Sequence, residues 1–178
     1  LTRLHAGQAA GQLKRWQESL AILETIPKEF AESSYLPETH YEMGWAQHQL
    51  KKYEQALQSY EQAATESRTA VGARARFMMG EVEFEQKKFA AAIRHFQRVM
   101  YGFGGKTAPA DVKSWQSKSG LEAGRCCEVQ AQGSKTKTDR KKWITEAQKF
   151  YTYILQGHPQ SGSAGLAKKR LEALSSLR

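Results

Sequence analysis

The chain contains no asparagine, and its only aspartates are Asp111 and Asp139. A Ser-His-Asp constellation would have to use one of those two, both in or near loops, and nothing beside them suggests it. Cysteine is equally scarce, with only the adjacent pair Cys126 and Cys127. Neighbours on a helix point about 100° apart, so a bond between them would be badly strained. They read as small core residues beside Gly124 rather than as a redox pair, and they fix no compartment. The histidines at 5, 40, 48, 95 and 158 include no His-x3-His pair, and none stands near Cys126, so no metal site is supported. No apolar run approaches the roughly 18 residues of a membrane span. Alternating runs of β-branched residues are also missing, which excludes an expectation of strands.

What the chain has in quantity is one repeated pattern. In Tyr41–Glu66 the small residues Gly44, Ala56 and Ala63 stand where two antiparallel helices must approach closely. Tyr53, Leu57 and Tyr60 stand where gaps must be filled. Shifted 36 residues forward, Gly44 becomes Gly80, Tyr53 becomes Phe89, Ala56 becomes Ala92, Tyr60 becomes Phe96 and Ala63 becomes Val99. Shifted 37 residues back, Gly44 becomes Gly7, Tyr53 becomes Trp16, Leu57 becomes Leu20 and Tyr60 becomes Leu23. Further on, Gly124 takes the Gly44 slot, and Ala147 and Tyr151 take those of Ala56 and Tyr60. Lys51-Lys52 and Lys87-Lys88 fall at the same turn of successive repeats, and Lys14-Arg15 precede the turn into Trp16. Units of this kind bury their apolar faces only by stacking on neighbours.

These residues resemble the tetratricopeptide repeat (TPR). The shared pattern is Gly in the first helix, then Ala-x3-aromatic in the second (Ala56…Tyr60, Ala92…Phe96, Ala147…Tyr151), with Pro159 at the closing position. Repeat one carries the reduced form Ser19…Leu23, and the spacing is 36 or 37 rather than the family's 34. The resemblance implies an all-α, right-handed α-solenoid of helix-turn-helix units. Repeats are expected at about 1–36, 37–67, 70–101 and 110–159, with a capping helix over 161–177 begun at Ser161. An extra helical turn is expected over Glu29–Ser33, a loop over Tyr101–Pro109, and a polar loop from Gly133 to Asp139 before a helix at about 140–157. The phrase Tyr151–Ser161, followed by Ala167…Arg170-Leu171…Leu174, resembles TPR modules of bacterial cell-envelope proteins. Examples are the lipoprotein of the outer-membrane barrel-assembly machine and the coordinator of the Tol-Pal system. That resemblance implies a periplasmic or envelope location. Leu1 falls inside a first repeat helix with no initiator Met, so a longer parent protein with repeats or a targeting segment upstream is expected.

Net charge is +9, of which Lys135–Lys142 carries +4 and Lys168–Arg178 carries +3. Such a basic end could touch nucleic acid, anionic lipid or an acidic protein, although solvated faces are the ordinary reading of charge runs. No aromatics interleave the tail, which argues against single-strand recognition. Gly104-Gly105-Lys106-Thr107 resembles the end of a phosphate-binding loop, but Met100 stands where the motif needs glycine, and a helix precedes it. Glu81, Glu83 and Glu85 read as a solvated helix stretch. No catalytic residues, cofactor or metal are therefore expected, and the chain reads as a non-enzyme.

The binding case rests on one helix face. Tyr41, Trp45 and His48 are four and three residues apart and share that face. Phe77, Glu81 and Phe84 occupy the same slots one repeat on, followed by Leu121, Arg125 and Glu128. The resemblance places these slots in a concave groove. Tyr41, Trp45, His48, Phe77, Glu81, Phe84, Leu121 and Arg125 are thus the candidate peptide-binding residues, with four aromatics as anchors. The family's clamp for chaperone C-terminal carboxylates depends on Asn, Lys and Arg; a chain without Asn, with aromatics in those slots, does not fit it. The expected function is a protein-interaction scaffold that takes a peptide or protein segment. The alternative is a structural segment that self-associates end to end or packs on its parent chain.

Overall fold

The computed structural model describes residues 1–176. Those residues form ten α-helices and one short 3-10 helix, with no strand among them. The helices are α1 (Thr2–Gln12), α2 (Trp16–Leu23), α3 (Thr25–Glu29), α4 (Leu36–Gln49), α5 (Tyr53–Glu66), α6 (Ala70–Glu85), α7 (Phe89–Gly102), α8 (Ala110–Gly133), α9 (Lys137–Gly157) and α10 (Ala164–Ser175). The fold class is the expected one, all-α of the helical-repeat type. The chain divides into two compact units, Leu1–Val82 and Glu83–Arg178.

In the first unit the small-large pattern is a physical interlock. A Cβ on Gly44 would lie 2.6 Å from Cδ1 of Tyr60, a distance no real contact allows. The Tyr60 ring fills the space the missing side chain leaves, and it is fully buried. Gly7 and Leu23 repeat the arrangement between α1 and α2, at 2.5 Å. Ser19 stands in the slot that Ala56 fills one repeat later, and its buried hydroxyl is accommodated by donating to the Gly7 carbonyl at 2.7 Å. Around Tyr60 lie Tyr41, Ala56, Ala63, Met78 and Val82, with Trp45 and Phe77 packed against their edge. Arg76 is buried in this unit and forks both guanidinium nitrogens onto Glu61.

The turns within the repeats share one backbone device. Lys14, Lys51 and Lys87 adopt φ of 59°, 58° and 61°. Their amides bond the carbonyls of Gly11, His48 and Phe84, while the following amides bond those of Ala10, Gln47 and Glu83. That pair of bonds is the Schellman closure, which satisfies the carbonyls orphaned at a helix end. Lysine occupies the left-handed position that glycine ordinarily fills.

In the second unit α8 and α9 interlock as α4 and α5 do. A Cβ on Gly124 would meet Tyr151 Cε1 at 2.3 Å, and one on Gly120 would meet Ile154 Cγ1 at 2.9 Å. Cys126 and Cys127 are fully buried in α8. Burial, with Glu146 and Glu128 nearby, pushes the Cys127 thiol up to about 12, so no thiolate forms there at neutral pH. The segment 103–109 is folded rather than loose. Its 3-10 helix spans Gly105–Thr107, and the buried Gln116 donates Nε2 to the Gly105 carbonyl at 3.2 Å.

Four expected boundaries are corrected. The extra turn lies at Thr25–Glu29 rather than Glu29–Ser33, because Pro27 sits in its first turn, where a missing N–H is no loss. The loop starts at Phe103, since α7 runs through Tyr101 and Gly102. The helix α9 starts at Lys137 rather than 140. Thr136 caps it, accepting the Asp139 amide at 3.0 Å and donating to the Asp139 carboxylate at 2.7 Å. The last helix starts at Ala164 rather than Ser161. Two backbone turns, Ser161 N to His158 O and Ala164 N to Ser161 O, precede it. The expected end of that helix at Leu177 lies outside the described residues.

Candidate functional site

In the first unit, α1, α4 and α6 with the start of α2 enclose an open cleft of about 480 Å³. Its aromatic wall is the indole pair Trp16 and Trp45, centroids 6.5 Å apart and edge-to-face at 80°. Its polar wall is Gln8, Gln12, Lys14, Glu42 and Arg74. Gln8 donates Nε2 to Glu42 at 3.2 Å. The Arg74 guanidinium lies 4.2 Å over the Tyr41 ring, a stacked cation at the cleft edge. Burial raises the Glu42 carboxyl above the usual carboxylate range; the Gln8 bond and the Arg74 charge offset this only in part. Such a cleft offers amide donors and acceptors, two cations (Lys14 and Arg74), one carboxylate and two indole surfaces.

The expected residues divide by depth. Tyr41 is 3% exposed, and burial raises its phenol far above the ordinary value. His48 is also buried, edge-on to Trp45 and Tyr60. Tyr41 and His48 are therefore core residues and do not line the cleft. Trp45, Phe77 and Glu81 are half-buried, and of these Trp45 lines the cleft itself. In the second unit Phe84, Leu121 and Arg125 are half-buried. The structure brings two of them together: Arg125 lies 4.2 Å over the Phe84 ring and pairs with Glu122 at 2.9 Å. The Phe84 ring also meets Phe89 edge-on at 5.3 Å.

Seven of the cleft's lining residues were missing from the expected set: Gln8, Gly11, Gln12, Lys14, Trp16, Glu42 and Arg74. The 37-residue register contained part of the signal, since Gln8 stands where Trp45 stands one repeat later. Arg74 is one helical turn before Phe77 and shares its face. Glu42 adjoins Tyr41 and carried no periodic mark.

Two segments match tetratricopeptide repeat family models, residues 37–69 and residues 74–103. No curated protein matches the chain in sequence. Among solved structures the chain is similar to the yeast histone chaperone Hif1, a scaffold protein recruiting protein complexes to core histones. There the TM-score is 0.68 at 13% identity, over 98% of this chain and 91% of that one. It is also similar to MamA RS-1 in its ArsTM double mutant, with a TM-score of 0.61 at 13% identity over 99% and 92%. A further MamA structure gives 0.55 at 14% identity over 96% and 92%. Identities this low establish the fold alone. Residues 37–69 and 74–103 are thus tetratricopeptide repeats, carried in an all-α helical-repeat chain.

Proposed function

We propose that the chain is a non-enzymatic scaffold that holds a peptide or protein segment in the cleft between α1, α4 and α6. Tetratricopeptide repeats support a protein-protein interaction role in general. The observation that carries the finer reading is the Trp16–Trp45 pair, which forms one wall of an open cleft instead of being sealed in the core. Indoles at the centre of a contact face supply large area at small entropy cost. A second support is Glu42, a carboxylate retained beside Arg74 although burial opposes its charge. Hif1 is named as a scaffold protein, which is consistent with this reading. Location in a bacterial envelope belongs to the same proposal and rests on the Tyr151–Ser161 phrase.

The test is retention of partners from a lysate by the chain, by its Trp16→Ala/Trp45→Ala variant and by Arg74→Glu. Circular dichroism checks that each variant keeps its helix content. The proposal expects a partner held by the parent chain and weakened about 30-fold or more by either variant, the range of interface anchors. Equal retention by all three would assign the indoles to packing and sink the proposal.

A further inference from the structure

The two basic segments of the sequence, Lys135–Lys142 and Lys168–Arg178, meet in the second unit. A separate cleft of about 400 Å³ lies among the end of α8, the start of α9 and one face of α10. Arg140 from the first segment and Lys169 and Arg170 from the second line it together. The α10 face is set by spacing: Leu166, Lys169, Arg170 and Ala173 recur three and four residues apart. The only acidic side chain in the lining, Glu128, is already engaged. It accepts from the Tyr151 hydroxyl and from Arg170 Nη1, the latter at 2.7 Å. Arg140 and Lys169 are exposed and make no ion pair among the described residues. Ile144 and Leu166 line the same cleft, and Leu166 is 45% exposed.

We infer that this cleft is a second docking site, for an acidic protein segment with an apolar side chain beside its carboxylates. The charge argument is direct. Arg170 is neutralised by Glu128, so the two remaining cations face a cleft with no free acid, and an incoming carboxylate meets attraction without a competing partner. Leu166 and Ile144 give the apolar contact that a purely electrostatic surface lacks. A membrane fits less well: one exposed leucine in a concave cleft offers no broad apolar face to insert. The site goes beyond the proposed scaffold function, since it uses none of the residues of the α1–α4–α6 cleft.

The test uses the full chain and a dye-labelled helical peptide of alternating Glu and Leu turns, read by fluorescence anisotropy. Three controls are a Lys-for-Glu peptide, a peptide with Leu replaced by Ser, and anionic vesicles. Binding of the Glu/Leu peptide is expected to weaken about tenfold or more in Arg140→Glu/Lys169→Glu, and similarly in Leu166→Asp. Lys106→Glu/Lys113→Glu, which makes the same change of net charge elsewhere, is expected to leave it unchanged, as is Trp45→Ala. Equal loss in both charge-reversed variants would reduce the effect to net charge and overturn the site. Binding of vesicles but not of the Glu/Leu peptide would overturn it in favour of lipid, and indifference to Leu166→Asp would remove the apolar component.

Discussion

Replacing Gly44 by alanine puts a methyl group where the Tyr60 ring already lies. The ring is fully buried and has nowhere to move, so overpacking should cost about 1–3 kcal/mol. Urea midpoints of Gly44→Ala against a surface control such as Gly133→Ala, which meets nothing within 4 Å, would measure it. These interlocks were fully legible in the sequence: Gly7/Leu23, Gly44/Tyr60 and Gly124/Tyr151 follow from the register alone. The depth of Tyr41 and His48 was not legible. Shared helix spacing places side chains on one face, but how deep that face lies depends on α5 and α6, which the spacing of α4 does not report. Glu42 gives a second residue-level expectation. Its raised pKa means the folded state binds the proton more tightly than the unfolded state, so the ionised form opposes folding above the ordinary carboxylate range. That opposition disappears as pH falls below the range, where both states are protonated. Glu42→Gln should therefore raise the melting temperature at neutral pH and leave it nearly unchanged in mild acid. A stabilisation independent of pH would refute the assignment.

At the scale of the element, three helices close through a left-handed lysine. An L residue there costs about 1 kcal/mol relative to glycine. Lys51→Gly should recover part of that, roughly 0.5–1 kcal/mol, without altering the bonds from residues 51 and 52 to His48 and Gln47. Thermal unfolding of the variant checks this, and a loss of stability would show that the Lys51 side chain contributes more than its backbone strain. Helix starts were less legible than helix ends, for a physical reason. Lys-Lys turns repeat, whereas each start uses its own device: Pro27 inside a first turn, or Thr136 bridging to Asp139. A short polar stretch such as Ser134–Asp139 looks alike as a loop or as a capped first turn until the side chain is seen to reach back.

On the scale of the whole molecule, two tetratricopeptide repeats stand in sequence between α1–α3 and α8–α10. Repetition made the fold readable, because one small-large register had to hold in every unit. Function was readable only as a class, protein-protein interaction; the residues of the proposed cleft come from several helices, and only some are periodic. The most direct measurement is site-specific photo-crosslinking. A photoreactive residue at the exposed Gln12, in the cleft, is compared with one at the exposed Glu54 on α5. The account predicts a crosslinked protein partner from Gln12 that is absent from Glu54 and lost in Trp16→Ala/Trp45→Ala. Crosslinks of equal yield at both positions, or crosslinks from Gln12 only to further copies of this chain, would contradict the scaffold reading and favour a structural segment.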